Sequence, residues 1–224
     1  MANRLIALQA DTVIVADDHP LFRTAIKEAL QASQGDTTFL EASSFETLQQ
    51  LVDANQDVDL VLLDLHMPGV SGFAGLVYLC KRYPSVPVVI ISANEDPMVI
   101  QRALEHGAAG FIPKSSDLKT ITNAIGDILM GEIWAPISAQ PNLPGSNVSE
   151  MALAERMAQL TPQQFKVLMS VSQGLLNKQI AYDMGISEAT VKAHVTAIMN
   201  KLGVSNRTQA VLAASKLDVA KPEV

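Results

Sequence analysis

Four short apolar runs constrain this chain more than any other feature: TVIVA (12–16), LVLLD (60–64), VPVVIIS (86–92) and AAGFIP (108–113). They are rich in Val and Ile and lack polar alternation. A strand with one wet face alternates, whereas a strand buried on both faces of a parallel sheet does not. Helical patterns lie between and after them, over residues 21–30, 45–52, 75–82, 98–106 and 118–130. A weaker strand, TTFLEA (37–42), fits between the first two helices. Five β-α units in a row predict an α/β doubly wound, five-stranded parallel sheet of about 125 residues.

Ligands of such sheets sit at the carboxyl ends of the strands. The polar residues there are Asp17 and Asp18, then Asp64, Ser92 and Lys114. Adjacent carboxylates raise each other's cost of ionising, so Asp17-Asp18 calls for a cation or a chemical task. Asp18, Asp64 and a backbone carbonyl suit a hard divalent ion such as Mg²⁺, which takes oxygen ligands. A carboxylate such as Asp64 can then act as a nucleophile and form an acyl phosphate. Ser92 and Lys114 can each hold a phosphoryl oxygen, and positioning with charge neutralisation supplies most of the catalysis in such a transfer.

The rear of the chain has another character. Residues 1–130 carry 8 Lys/Arg against 16 Asp/Glu, while residues 159–224 carry 7 against 4. An acidic front and a basic rear predict two domains with different partners, the second able to meet nucleic acid. Between them, GEIWAPISAQPNLPGSNVSE has the Pro, Gly and small polar residues of a linker. The expected division is therefore 1–130, a linker over 131–158 that ends in a helical stretch from 150, and 159–224. No apolar run approaches the roughly 20 residues that span a bilayer, and MANRLIALQADT lacks a secretion-type apolar region. Cys80 is the sole cysteine. These features predict a cytoplasmic protein without membrane contact.

The basic rear reads as four short helices. Thr161-Pro162 opens the first and Gly174 closes it. Asn177 to Met184 form the second. Gly185 turns the chain, and Ser187 caps a third helix that runs to Leu202. A fourth runs from about 206 to 217. Two helices across a tight turn make a helix-turn-helix, whose second helix enters the major groove. On that helix Val191, Val195, Ile198 and Leu202 share a buried face, leaving Lys192, Thr196 and Asn200 outside it. Lys can reach guanine or phosphate, and Thr a base edge or thymine methyl. Asn177, Lys178, Lys201 and Arg207 are candidate phosphate contacts.

ADDHPLFR, LVLLDLHMPGVSG, VIISANED and AAGFIPKSS together resemble the receiver domain of two-component response regulators of the NarL/FixJ type. The resemblance covers roughly residues 11–130. It implies a flavodoxin-like receiver with Asp64 as phosphoacceptor. Asp18, Asp64 and the His66 backbone carbonyl would bind Mg²⁺, with Asp17 supporting the metal through water. It also implies Ser92 and Lys114 as the phosphoryl-binding pair and Phe111 as an aromatic residue that swings inward on phosphorylation. His19 is expected to be a loop residue without a chemical part.

LTPQQFKVLMSVSQGLLNKQIAYDMGISEATVKAHVTAIMNKLGVSNRTQAV resembles the LuxR-type four-helix DNA-binding domain, with Lys192, Ala193 and Thr196 facing the groove. There Thr190 divides between cap and DNA contact. Gln163 and Gln164 stand where the family often has Arg and Glu. The resemblances imply a phosphorylation-regulated transcription regulator. Its partners would be a sensor histidine kinase, double-stranded DNA, a second copy on DNA, and RNA polymerase as a candidate. It would be no enzyme beyond handling its own phosphoryl group. One rival reading is an Mg²⁺-dependent phosphatase; such enzymes usually carry an Asp two residues after the nucleophile, where this chain has His66. Another is a regulator whose receiver serves only as a dimer module.

Overall fold

The computed structural model describes residues 10–34, 37–55, 57–136 and 148–219. β1 (Thr12–Ala16), β2 (Thr38–Ala42), β3 (Leu60–Leu63), β4 (Val88–Ser92) and β5 (Gly110–Pro113) form one parallel sheet in the order β2-β1-β3-β4-β5. They alternate with α1 (Pro20–Gln34), α2 (Phe45–Ala54), α3 (Ala74–Arg82), α4 (Pro97–Glu105) and α5 (Leu118–Leu129). This is the expected doubly wound fold. The strand order reverses between β1 and β3, the place where such sheets open a crevice.

The apolar runs feed two cores because successive strand residues point to opposite faces. Val13, Val15, Leu60, Leu62, Val89, Ile91 and Ile112 pack with Ile26 and Leu30 of α1 and Ile121 and Ile125 of α5. Ile14, Val61, Leu63, Val88, Ile90 and Phe111 pack with Leu48 of α2, Leu76 of α3 and Ile100 of α4. β2 is one edge of the sheet and, unlike β5 at the other edge, is only partly buried, which explains its weaker apolar signal. β4 begins at Val88 rather than 86 because Val86 N–H closes a turn onto Tyr83 O and Pro87 has no N–H to give. Cys80 on α3 points its Sγ at Gly107 O, 3.3 Å away. Burial pushes its thiol up to about 11, so thiolate is scarce near neutral pH.

The second unit is all helical: α6 (Val148–Met157), α7 (Pro162–Ser172), α8 (Asn177–Met184), α9 (Glu188–Leu202) and α10 (Arg207–Ser215). Most of the proline-rich stretch, 137–147, lies outside the described residues. α6 buries Leu153, Ala154 and Met157, and Arg156 Nη1 donates to Leu202 O (3.0 Å), capping the end of α9. Thr161 and Gln164 form a capping box on α7, and Gln164 Oε1 also accepts from Lys201 Nζ at 2.8 Å. The glutamine therefore serves pairing without a charge at that position.

The two units share one apolar cluster. Phe165 of α7 is 1% exposed. Its ring centroid lies 4.7 Å from that of Tyr78 on α3 and 5.4 Å from that of Phe45 on α2. Beside it Lys166 Nζ meets Glu46 Oε1 at 2.6 Å. Among the described residues no helix is long and apolar enough to cross a membrane.

Candidate functional site

Sheet pairing runs one residue past the strands and fixes the polar residues. Asp17 N–H donates to Ala42 O (3.0 Å), Asp64 N–H to Ala16 O (2.9 Å) and Lys114 N–H to Ser92 O (2.8 Å). The side chains of Asp17 and Asp64 are thereby brought to the β1/β3 crevice on rigid backbone, 2% and 4% exposed. Two buried carboxylates need a counter-charge. Lys114 supplies it: its Nζ stands 2.6 Å from Asp17 Oδ2 and 2.8 Å from Asp64 Oδ2. Burial alone would pull the Lys114 ammonium down, but its bonds to Asp17 and Asp64 outweigh this and hold it above the usual lysine value. Phe22 places its ring 5.0 Å from the same Nζ.

Asp18 is the outer member of the pair, with 35% of its side chain exposed. His19 Nδ1 sits 2.9 Å from Asp17 Oδ1 and 2.7 Å from Asp18 Oδ1. The ring thus contacts both carboxylates of the pair, while the residue lies, as expected, in the loop before α1. Ligand atoms of Asp17, Asp18, His19 and Asp64 all lie within 4.8 Å of one another. Three carboxylates are hard oxygen donors, and the set fits a divalent ion such as Mg²⁺. His66 points its amide at Asp64 Oδ1 (3.4 Å) and its ring away, toward Val219 O (2.9 Å). Ser92 is fully buried, with its Oγ accepting from Asn94 N–H at 3.1 Å. Phe111 is fully buried on the α4 side of β5, so its ring is already inward here. Ser115 after Lys114 is engaged with Glu95.

At the other end of the chain, α8 and α9 flank Gly185, whose φ of +65° makes the turn and which a larger residue would strain. Ser187 caps α9 by accepting from Thr190 N–H (3.0 Å), and the two hydroxyls meet at 2.8 Å. Val191, Ile198 and Leu202 are buried, whereas Lys192, Ala193, Thr196 and Asn200 are exposed on one side. Lys192 Nζ lies 3.3 Å from Glu188 Oε1. Lys178 is exposed. Arg207 instead turns inward, donating to Asn177 Oδ1 (2.8 Å) and Leu175 O (2.5 Å). Lys201 Nζ is engaged with Gln159 O and Gln164 Oε1, both at 2.8 Å.

The family described as the response regulator receiver domain matches residues 13–126, and the luxR family of bacterial regulatory proteins matches 158–214. The chain belongs to the LuxR-type response regulators. The regulator is 43% identical over 211 residues to the glycerol metabolism activator of Pseudomonas putida, covering 92% of this chain and 96% of that one. It is 33% identical over 202 residues to the nitrate/nitrite response regulator protein NarL of Escherichia coli K12, covering 90% and 93%. Among solved structures, RcsB of Salmonella enterica serovar Typhimurium bound to promoter P1flhDC shares its fold, with TM-score 0.55, 23% identity, and coverage of 92% and 98%. The regulator thus joins a receiver to a DNA-binding domain and acts in transcription.

The sequence of this regulator does not reveal the contact of the His19 ring with the Asp pair, nor the aromatic residues that join the domains. HP after the Asp pair signals a ring near the carboxylates but not its direction. Phe45 and Phe165 carried none, because an aromatic residue on a helix reads as core of its own domain.

Proposed function

We propose that Asp64 accepts a phosphoryl group from a sensor histidine kinase and that this modification sets DNA binding by a homodimer. The observation that carries it is the buried pair Asp17 and Asp64 bridged by Lys114. One Asp64 oxygen attacks phosphorus in line. The new O–P bond forms as the P–N bond to the donor histidine breaks, and the electron pair stays on that nitrogen, which takes up a proton. Mg²⁺ bound by Asp18, Asp64 and the His66 carbonyl, with Asp17 behind it, would neutralise charge on the carboxylates and the phosphoryl oxygens. Lys114 gives up Asp64 Oδ2 and pairs with a phosphoryl oxygen, while Ser92 donates to another. Phe111 follows Ser92 as the packing element on the α4 side. Water later cleaves the acyl phosphate, so the chain handles its own phosphoryl group and turns over no other substrate.

On DNA, Lys192, Ala193 and Thr196 face the groove and Lys178 meets phosphate. Thr190, Asn177, Lys201 and Arg207 are better supported as structural: each is occupied within the domain, so they position rather than read. RNA polymerase is the partner proposed at promoters, in the cytoplasm. The Pseudomonas putida relative is named an activator, which makes activation the sign to test first.

Incubation with acetyl phosphate and Mg²⁺ should add about 80 Da, one phosphoryl group, to the full chain and nothing to Asp64→Asn. Equal mass gain in Asp64→Asn would move the acceptor elsewhere.

A further inference from the structure

The backbone of Asp17 is held at both of its polar groups by neighbouring residues of β2. Its N–H donates to Ala42 O at 3.0 Å. Its carbonyl accepts from Arg23 Nη1 of α1 at 2.7 Å, and Arg23 Nε donates to Glu41 Oε2 at 2.8 Å. Glu41 and Ala42 are consecutive in β2 and stand in register with Val15 and Ala16 of β1. The N–H is thus tied to the strand directly, and the carbonyl through one guanidinium. The Arg23 side chain is 13% exposed. Lys27, one turn further along α1, places its Nζ 2.5 Å from Glu41 Oε1. Lys27 first, and then Arg23, hold the Glu41 carboxyl below the usual carboxylate range, so the anchor stays ionised at neutral pH.

The carbonyl held by Arg23 lies between the two acids. Asp17 O and Asp18 N–H belong to one planar peptide unit. The tilt of that plane sets how the buried Asp17 carboxylate and the outer Asp18 carboxylate face each other. Ligand atoms of both stand within 4.8 Å of each other and of Asp64. A small hard ion demands near-ideal octahedral positions, so a plane free to rotate offers it a poorer set. Partners behind the ligands fix their direction, and losing one typically costs about 10–100-fold in metal affinity. Arginine suits this task because its flat fork serves two acceptors in fixed directions, whereas an ammonium is a point donor on a flexible stem. Charge works against it, since a guanidinium beside the acids repels a cation. Position and charge therefore predict opposite signs when Arg23 is removed.

We propose that Arg23 is a positioning residue of the cation site: anchored by Glu41, it fixes the Asp17–Asp18 peptide so that the two carboxylates serve one divalent ion together. This rests on the reading of Asp17, Asp18 and Asp64 as a cation site, and not on which residue accepts the phosphoryl group.

The test uses the full chain with Mn²⁺ as the probe, an ion suited to the same oxygen donors, its free fraction read by electron paramagnetic resonance. Arg23→Lys and Glu41→Asp keep every charge and break the geometry. Arg23→Lys should weaken Mn²⁺ binding about tenfold or more, and Glu41→Asp should weaken it in the same direction. Arg23→Ala should weaken it too, although it removes a repelling charge. The half-saturating Mg²⁺ for labelling by acetyl phosphate should rise by the same factor in Arg23→Lys, with the rate at saturating Mg²⁺ kept at the parent value. Circular dichroism establishes that each variant is folded. Mn²⁺ affinity at the parent value in folded Arg23→Lys overturns the proposal, and so does tighter binding in Arg23→Ala, because charge alone then governs the site. Should Arg23→Lys not fold, Glu41→Asp, at an exposed position of the edge strand, carries the same decision. If the parent binds no Mn²⁺, the cation-site reading falls and the part of Arg23 with it. If Mn²⁺ binding shifts as stated while the parent takes no phosphoryl group, Arg23 keeps its part and only the acceptor assignment falls.

Discussion

Phe165→Ala should destabilise the regulator by about 3–5 kcal/mol, the range for emptying a buried aromatic site. The ring is 1% exposed and packs against aromatic residues of two receiver helices while belonging to α7 of the DNA-binding domain. Its loss removes area burial and two aromatic pairs together, each pair adding about 0.5–1.5 kcal/mol beyond area. Since the two units share one apolar cluster, the parent should melt in a single transition. The variant should show the α-helical unit melting earlier, as a separate step in calorimetry. A variant that melts in one step at the parent temperature would mean that the Phe165 ring does not couple the two units.

Lys192→Ala carries the second large effect. Lys192 is exposed on α9 with Glu188 beside it, so its ammonium can reach base or phosphate. Truncation should weaken binding to an operator recovered by selection from random duplexes by about 10-fold to 100-fold. Arg207→Ala provides the contrast. Its guanidinium ties α10 to the α7–α8 connection through Leu175 O and Asn177, so its removal should lower thermal stability and leave the salt slope of binding unchanged. A loss of slope in Arg207→Ala would return that residue to the phosphate contacts.

Much of the fold was legible because both-face burial leaves a plain mark: β1, β3, β4 and β5 read as unbroken apolar runs. β2 was faint because it is an edge with residues still exposed. Helix starts were legible wherever a short polar residue caps them, as Ser44, Asp96, Asp117, Thr161, Ser187 and Asn206 do. The acidic site was legible because a parallel sheet puts strand ends on one edge, which turns Asp17, Asp64 and Lys114 from scattered letters into neighbours. The bridge from Lys114 to both carboxylates was not, since distance within an edge depends on register and rotamer. The division of basic residues was also hidden. Lys201 and Arg207 carry the same charge as Lys192, and the sequence does not show that their side chains are engaged within the domain. Gly72 read as one more loop glycine, whereas its lack of a Cβ admits the tail of a distant segment.

If phosphorylation of Asp64 governs DNA binding, operator affinity of one preparation must change between its unmodified and phosphorylated states. Fluorescence anisotropy at fixed salt, with the phosphorylated fraction read by intact mass and Asp64→Asn carried alongside, measures that affinity. The expected result is a gain of about tenfold or more for the parent and none for Asp64→Asn. Equal affinity of the unmodified and fully phosphorylated parent would contradict it.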